Sequence, residues 1–187
     1  TMLHPDLGRV WIAVQQDISR RKAAEAERDR LMSIVEAEAI RDTLTGLYNR
    51  RYLEASLQRE ISAAIRSKSG IGLIFIDVDH FKAVNDEFGH AAGDDVLKSL
   101  GDMLRAQTRG ADLPCRFGGE EFLVVLPGAG LGETGKRAEQ LRREVERLRV
   151  KTTAGTVSCT VSVGVAACPE HGTEMNQLIE AADLAMY

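Results

Sequence analysis

Arg116-Phe117-Gly118-Gly119-Glu120-Glu121, followed at once by the apolar run Phe122-Leu-Val-Val-Leu126, is the stretch most suited to chemistry. Two adjacent glycines between strand-like segments read as a tight hairpin turn, since glycine takes positive φ without a Cβ penalty. Two ionised glutamates at the mouth of a buried strand are costly unless a cation answers them, and a divalent metal is the obvious answer. Two more acidic clusters lie at element ends. Asp77 and Asp79 follow the apolar run over 71–76, and they share a side if the strand persists, because successive strand residues alternate. Asp94 and Asp95 open the helix expected after Gly89-His-Ala-Ala-Gly93. Taken alone, the first pair reads equally well as strand-end surface carboxylates. Asp94 alone reads better as a helix N-terminal acid favoured by the macrodipole. If the strand over 71–77 lies beside the hairpin, Asp77 and Glu120 converge. Two carboxylates and a backbone carbonyl then make a hard-oxygen site suited to Mg²⁺, which keeps waters and takes phosphate oxygens as further ligands. Such a site neutralises phosphate charge and activates a hydroxyl for in-line attack.

The elements that must position these residues follow from periodicity. Residues 19–41 contain no Gly or Pro and are dense in Ala, Glu, Arg and Leu, which predicts one continuous helix. A heptad seam through Ala24, Leu31 and Glu38, with Arg28 and Val35 or Ile34 between, makes it a marginal coiled coil or a solvated single helix. Gly46 and Asn49 end it. Leu53, Leu57, Ile61 and Ile65 mark the next helix. The run Ile71-Gly-Leu-Ile-Phe-Ile76 reads as a central strand covered on both faces. Val96, Leu97, Leu100 and Leu104 mark a helix, 115–117 and 122–126 the hairpin, and Ala138, Leu141, Val145 and Leu148 another helix. The longest loop is expected around Pro127–Gly135. Strict alternation from Val157 to Val165 predicts one half-buried strand, and Leu178, Ile179 and Ala182 a last helix running to Tyr187. This order predicts an α+β fold, a mostly antiparallel sheet flanked by helices and related to the ferredoxin-like arrangement.

Composition narrows the function classes. The 187 residues, 44% of them apolar, suffice for one core and an appendage. With 24 basic against 28 acidic residues and no basic block, a nucleic-acid surface is not expected. No apolar stretch approaches the roughly 20 residues that span a bilayer. Thr1 is expected to mark a cut from a longer chain. Cys115, Cys159 and Cys168 lack CxxC spacing and read as reduced thiols in a cytoplasmic protein. Any membrane attachment then falls to the rest of a longer parent. Residues 10–18 read as a lone strand with no partner nearby in sequence, hence an arm or a fragment of another domain. The run from Gln16 to Lys22 resembles the exit of a PAS sensory domain, so 1–18 is expected to be a remnant of one.

From Asp42 to Tyr187 the chain resembles the GGDEF family of diguanylate cyclases, in the GGEEF spelling. The resemblance rests on Asp42-Thr-Leu-Thr-Gly-Leu-Tyr-Asn-Arg-Arg51, Asp77-Val-Asp-His-Phe-Lys-Ala-Val-Asn-Asp86 and Phe88-Gly-His-Ala-Ala-Gly-Asp94. It continues through Gly118-Gly-Glu-Glu-Phe122, Val161-Ser-Val-Gly164 and Ala182-Asp-Leu-Ala-Met-Tyr187. It implies a nucleotidyl-cyclase-like catalytic domain over 42–187. Asp77, Glu120 and the Val78 carbonyl would hold Mg²⁺ or Mn²⁺ over the GTP phosphates, and backbone N–H groups of His80, Phe81 and Lys82 would cradle the β- and γ-phosphates. Asn85 and Asp94 would recognise guanine, since a carboxylate accepts from N1–H and the amino group while an amide donates to a ring acceptor. Glu121 would act at the metals or in deprotonating the 3′-hydroxyl; which glutamate is the base stays open. Gly118 and Gly119 would let the turn approach the nucleotide.

The implied reaction joins two GTP into cyclic di-GMP and two pyrophosphates across a two-fold homodimer, with the 19–41 helix joining the two copies. Arg109 and Asp112 resemble the family's inhibitory product site. Relatives continue past a segment like Ala182–Tyr187 with phosphate-contacting Lys and Arg and a last strand, so the domain is expected to be truncated. A competing reading is a GGDEF-like domain that binds GTP or cyclic di-GMP without turnover, and a third is a purely structural dimerisation module. The intact acidic and amide residues favour the enzyme.

Overall fold

The structure, a computed structural model, describes residues 2–4, 8–10, 22, 24, 27, 28 and 40–186. The chain divides into two compact units, 1–37 and 38–187. In the first, β1 (Met2–His4) and β2 (Gly8–Val10) pair antiparallel, with Met2 opposite Val10. Val10, where the sequence predicts that a partnerless strand begins, therefore has a strand partner. Lys22, Ala24, Glu27 and Arg28 are helical and exposed. The rest of the expected strand, the PAS-like exit and most of the linker-helix seam lie outside the described residues.

The second unit is a five-stranded sheet covered by helices on both faces. Its elements are β3 (Tyr48–Asn49), α1 (Arg50–Ser67), β4 (Ile71–Val78), α2 (Phe81–Phe88), α3 (His90–Gln107), β5 (Leu113–Arg116) and β6 (Glu121–Pro127). They continue as α4 (Leu131–Arg147), β7 (Val150–Thr152), β8 (Gly155–Val157), β9 (Val161–Cys168) and α5 (Met175–Leu184). The sheet order is β3-β5-β6-β4-β9, antiparallel throughout except for the parallel pair β3–β5, while β7 and β8 form a separate small hairpin. The mixed α+β, mostly antiparallel architecture is thus the one the sequence predicts.

β4 is an interior strand, paired with β6 over 71–77 and with the edge strand β9 over its whole length. Its alternate residues feed two cores. Ile74, Ile76 and Val78 pack with Phe81, Val96, Leu100 and Leu141 from the helices α2, α3 and α4. Ile71, Leu73 and Phe75 pack with Leu53, Leu57 and Ile61 of α1 and Leu178 of α5. A strand buried on both faces has no polar side to show, which is why it reads as an unbroken apolar run.

Several local readings are corrected. Gly118 and Gly119 do not have positive φ; the left-handed glycines lie elsewhere, at Gly46 and Gly89 among others. The alternating segment 157–165 is not one strand, because the chain leaves β8 at Val157 and enters β9 only at Val161. Gly132 and Gly135 lie inside α4 and not in a loop, so the connection after β6 spans only 128–130. Thr134 anchors that early start: its hydroxyl and N–H both donate to the Gly130 carbonyl, and it packs into the space Gly72 leaves open on β4.

Candidate active site

The edge of β4 gathers the acidic residues. Asp77 stands opposite Glu121 on β6 and opposite Ser162 on β9. Directly opposed residues of an antiparallel pair point to the same face, so the Asp77 and Glu121 side chains share one. The Val78 N–H donates to the Glu120 carbonyl at 3.3 Å, which ties the end of β4 to the glycine turn. Glu121 folds back so that its carboxylate occupies the space a Cβ on Gly118 would need. Nothing stands within 4 Å of where a Cβ on Gly119 would lie. Glycine therefore serves here to make room, at Gly118 for a carboxylate, and the turn needs no left-handed residue.

Electrostatics mark the same spot. Burial pushes the half-buried Asp77 carboxyl above the usual range, and Glu120, Glu121, Asp79 and Asp183 push it further. Among the described residues none of Asp77, Glu120 and Glu121 joins an ion pair. Nor do three or more His, Cys, Asp or Glu side chains there converge as a ready metal cage. A donor set of two carboxylates and a carbonyl is what remains, and its shortage of positive charge fits a hard divalent cation that brings its own waters and phosphate ligands.

Asp79 belongs to a different arrangement from the one its spacing suggested. β4 ends at Val78, and the Asp79 carboxylate accepts from the Thr160 and Ser162 hydroxyls while its N–H donates to the Thr160 carbonyl. It locks β9 to the following loop. His80 then takes a left-handed conformation (φ 55°) and caps α2 without a side-chain hydrogen bond. Phe81 and Lys82 lead that helix, where no residue four positions back can accept from their N–H groups. These donors are available beside the acidic edge.

A tight connection at Gly89 sets α2, which carries Asn85, against α3, which carries Asp94. The Asn85 side chain lies over Gly93, the residue before Asp94, in space that a Cβ there would take. Asp94 is exposed and is the fifth residue of α3, which starts at His90, so a macrodipole role in the first turn does not apply to it. Arg116 pairs with the Asp42 carboxylate at 3.2 Å. It also donates through Nε and a terminal nitrogen to the Gly119 carbonyl at 3.2 and 2.7 Å.

Arg109 and Asp112 sit apart from this edge. The Arg109 N–H donates to the Asp112 carboxylate at 2.8 Å, and Asp112 is buried. They line a small cavity of about 90 Å³ together with Glu133 and Arg137. Arg137 carries no motif signal in the sequence and reaches this cavity through the start of α4. The three cysteines are buried and unpaired. Burial, reinforced by Asp42 and Glu54, pushes the Cys115 thiol up to about 12, which removes it as a nucleophile. No helix among the described residues is long and apolar enough to cross a membrane.

Comparison with known proteins places the fold in a family. The family model described as diguanylate cyclase, GGDEF domain, matches residues 39–187. Response regulator PleD of Caulobacter vibrioides is 35% identical over 176 residues, which is 93% of this chain and 38% of that protein. Diguanylate cyclase DgcP of Pseudomonas aeruginosa is 40% identical over 151 residues, 80% of this chain and 22% of that protein. The coiled coil and GGDEF domain of DgcB from Caulobacter crescentus, in complex with c-di-GMP, superposes with a TM-score of 0.79 at 30% identity. That match covers 92% of this chain and 93% of the other. The chain spans less than about two fifths of the length of these two curated relatives.

Proposed function

The chain belongs to the GGDEF-domain family of diguanylate cyclases, and from that premise we propose that it condenses two GTP into cyclic di-GMP. The observation that carries the proposal is the unpaired acidic edge, where Asp77 faces Glu121 and the main chains of Val78 and Glu120 are bonded. Asp77, Glu120 and the Val78 carbonyl would hold Mg²⁺ or Mn²⁺. When bound, the cation offsets phosphate charge and lowers the barrier to hydroxyl attack.

The chain's own groups do the rest. The N–H groups of His80, Phe81 and Lys82 take the β- and γ-phosphates. Asp94 accepts from guanine N1–H and the exocyclic amine, and Asn85 donates to a ring acceptor. Gly119, open on its outer side, lets the nucleotide lie against the turn. The 3′-oxygen of each GTP attacks the α-phosphorus of the other. A new O–P bond forms, the bond to the β-phosphate bridging oxygen breaks, and pyrophosphate leaves with the pair of electrons. Either Glu120 or Glu121 takes the hydroxyl proton. Catalysis is then mostly positioning and electrostatic complementarity. Because one domain binds one GTP, two copies face each other across a two-fold axis. Arg109 and Asp112, with Arg137 beside them, form an anion- and guanine-binding site for the product, and its occupation slows the enzyme.

Incubating the chain with GTP and Mg²⁺ and measuring cyclic di-GMP by mass tests this, with Glu120→Gln as control. Product from the parent chain that is lost in the variant is the expected result. GTP binding without any product would instead make the domain a nucleotide receptor.

A further inference from the structure

Gly93 is buried inside α3, where glycine weakens a helix relative to alanine because its wide backbone freedom must be frozen. Most close-packed glycines of this chain make room for the framework, Gly118 with its Glu121 carboxylate excepted. Gly164 admits the Ala182 carbonyl, Gly101 admits Thr45 and Gly72 admits Thr134. Gly93 makes room for a site residue instead. A Cβ there would stand 3.0 Å from Asn85 Cγ, closer still to its Oδ1, and 3.1 Å from Phe81 Cζ. Phe81 is buried beneath and has little room to yield.

We propose that Gly93 is a positioning residue for base recognition: its missing side chain is what lets the Asn85 carboxamide lie beside Asp94. The inference rests on reading Asn85 and Asp94 as the guanine-recognising pair. With a methyl group at position 93, the Asn85 amide has to leave its place over α3. Helical χ1 preferences leave it few alternatives, and the place it now holds over Gly93 is not among them. Asp94 keeps its own place, so the base loses the donor from Asn85 while the carboxylate contact stays. Guanine binding then suffers and adenine binding, which the pair does not favour, does not. A purely architectural role would predict the reverse: a change in stability with discrimination intact.

The test titrates the 187-residue chain and Gly93→Ala with 3′-deoxy-GTP and 3′-deoxy-ATP in Mg²⁺ by calorimetry. Neither nucleotide has the attacking hydroxyl, so binding is read without turnover. Gly93→Ala is expected to weaken 3′-deoxy-GTP about tenfold, the order of one lost hydrogen bond, and to leave 3′-deoxy-ATP unchanged. In an Asn85→Ala background the same change should add nothing. Full discrimination in Gly93→Ala, or an equal further loss in the Asn85→Ala background, overturns the inference. If Gly93→Ala unfolds the domain, the double variant decides: a recovered fold supports the inference and continued unfolding overturns it. A parent chain that binds both nucleotides equally would instead remove the base-recognition reading itself.

Discussion

At the scale of residues, the cost of the acidic edge should be measurable as stability. Asp77 is held above its ordinary pKa by burial and then by Glu120, Glu121, Asp79 and Asp183. A carboxyl raised in this way binds its proton more tightly when folded. Its favourable contribution is present below the unfolded pKa and is lost as pH rises through the folded value. Asp77→Asn should therefore melt higher than the parent at pH 7 without metal, and the gap should close as pH falls to about 4. Solvent screening keeps the increment small; even about 0.5 kcal/mol moves the midpoint of a domain this size by about 1–2 °C. Mg²⁺ should raise the melting temperature of the parent and not of the variant, by mass action on the folded state. A variant that melts lower at pH 7 would mean the cluster is already compensated.

The acidic edge was legible in sequence because ionised residues abutting two apolar runs have no packing reason to be there. Asp79 was not, since its partners Thr160 and Ser162 lie about 80 residues away and only the β4–β9 register brings them near. Asp94 was misplaced for a local reason: the helix starts at His90, behind a left-handed Gly89 that no periodicity signals.

At the scale of elements, Arg116 ties the hairpin to the domain's entry. One guanidinium spans the Gly119 carbonyl and Asp42, whose carboxylate also accepts from the Thr45 N–H and hydroxyl at 2.8 and 2.7 Å. Arg105 in turn donates to the Thr45 carbonyl, so α3 joins the same network. A lysine has no fork to serve both partners. Arg116→Lys and Arg116→Ala are both expected to lower stability in urea by about 1–3 kcal/mol, the range for hydrogen bonds to charged groups. Burial pushes the Asp42 carboxyl up, but the Thr45 hydroxyl and N–H and then Arg116 outweigh it, and the pKa is lowered. The stability Asp42 supplies is thus present above its unfolded value and is lost as pH falls through the lower folded one. The deficit of the Arg116 variants should narrow below pH about 3.8 and, once Asp42 is protonated, level off at the share owed to the Gly119 contacts; a deficit independent of pH would place the loss in the Gly119 contacts alone. The long helices α1 and α3 were readable because burial of one face imposes period on them, and β4 and β6 because burial on both faces makes each an unbroken apolar run. The short β3, α2, β7 and β8 went unseen, since two to eight residues hold too few repeats to show one.

At the scale of the whole molecule, the proposed reaction needs two half-sites, of which one domain would supply one. Rate per chain should rise with protein concentration until the dimer saturates. The segment over 19–41 is where copies would join, and its geometry can be tested without knowing what lies upstream. A helix turns about 100° per residue, so inserting two residues near position 30 rotates everything after it by about 200° relative to the seam. Inserting seven leaves the heptad in phase. If the helix sets how the two acidic edges meet, the two-residue insertion should abolish cyclic di-GMP formation while leaving GTP binding per chain unchanged, and the seven-residue insertion should retain most of the activity. Equal turnover in both would mean that the catalytic domains find each other unaided, because a flexible tether raises local concentration regardless of phase. Loss in both, with the fold intact, would mean that the length of the segment matters as well as its phase.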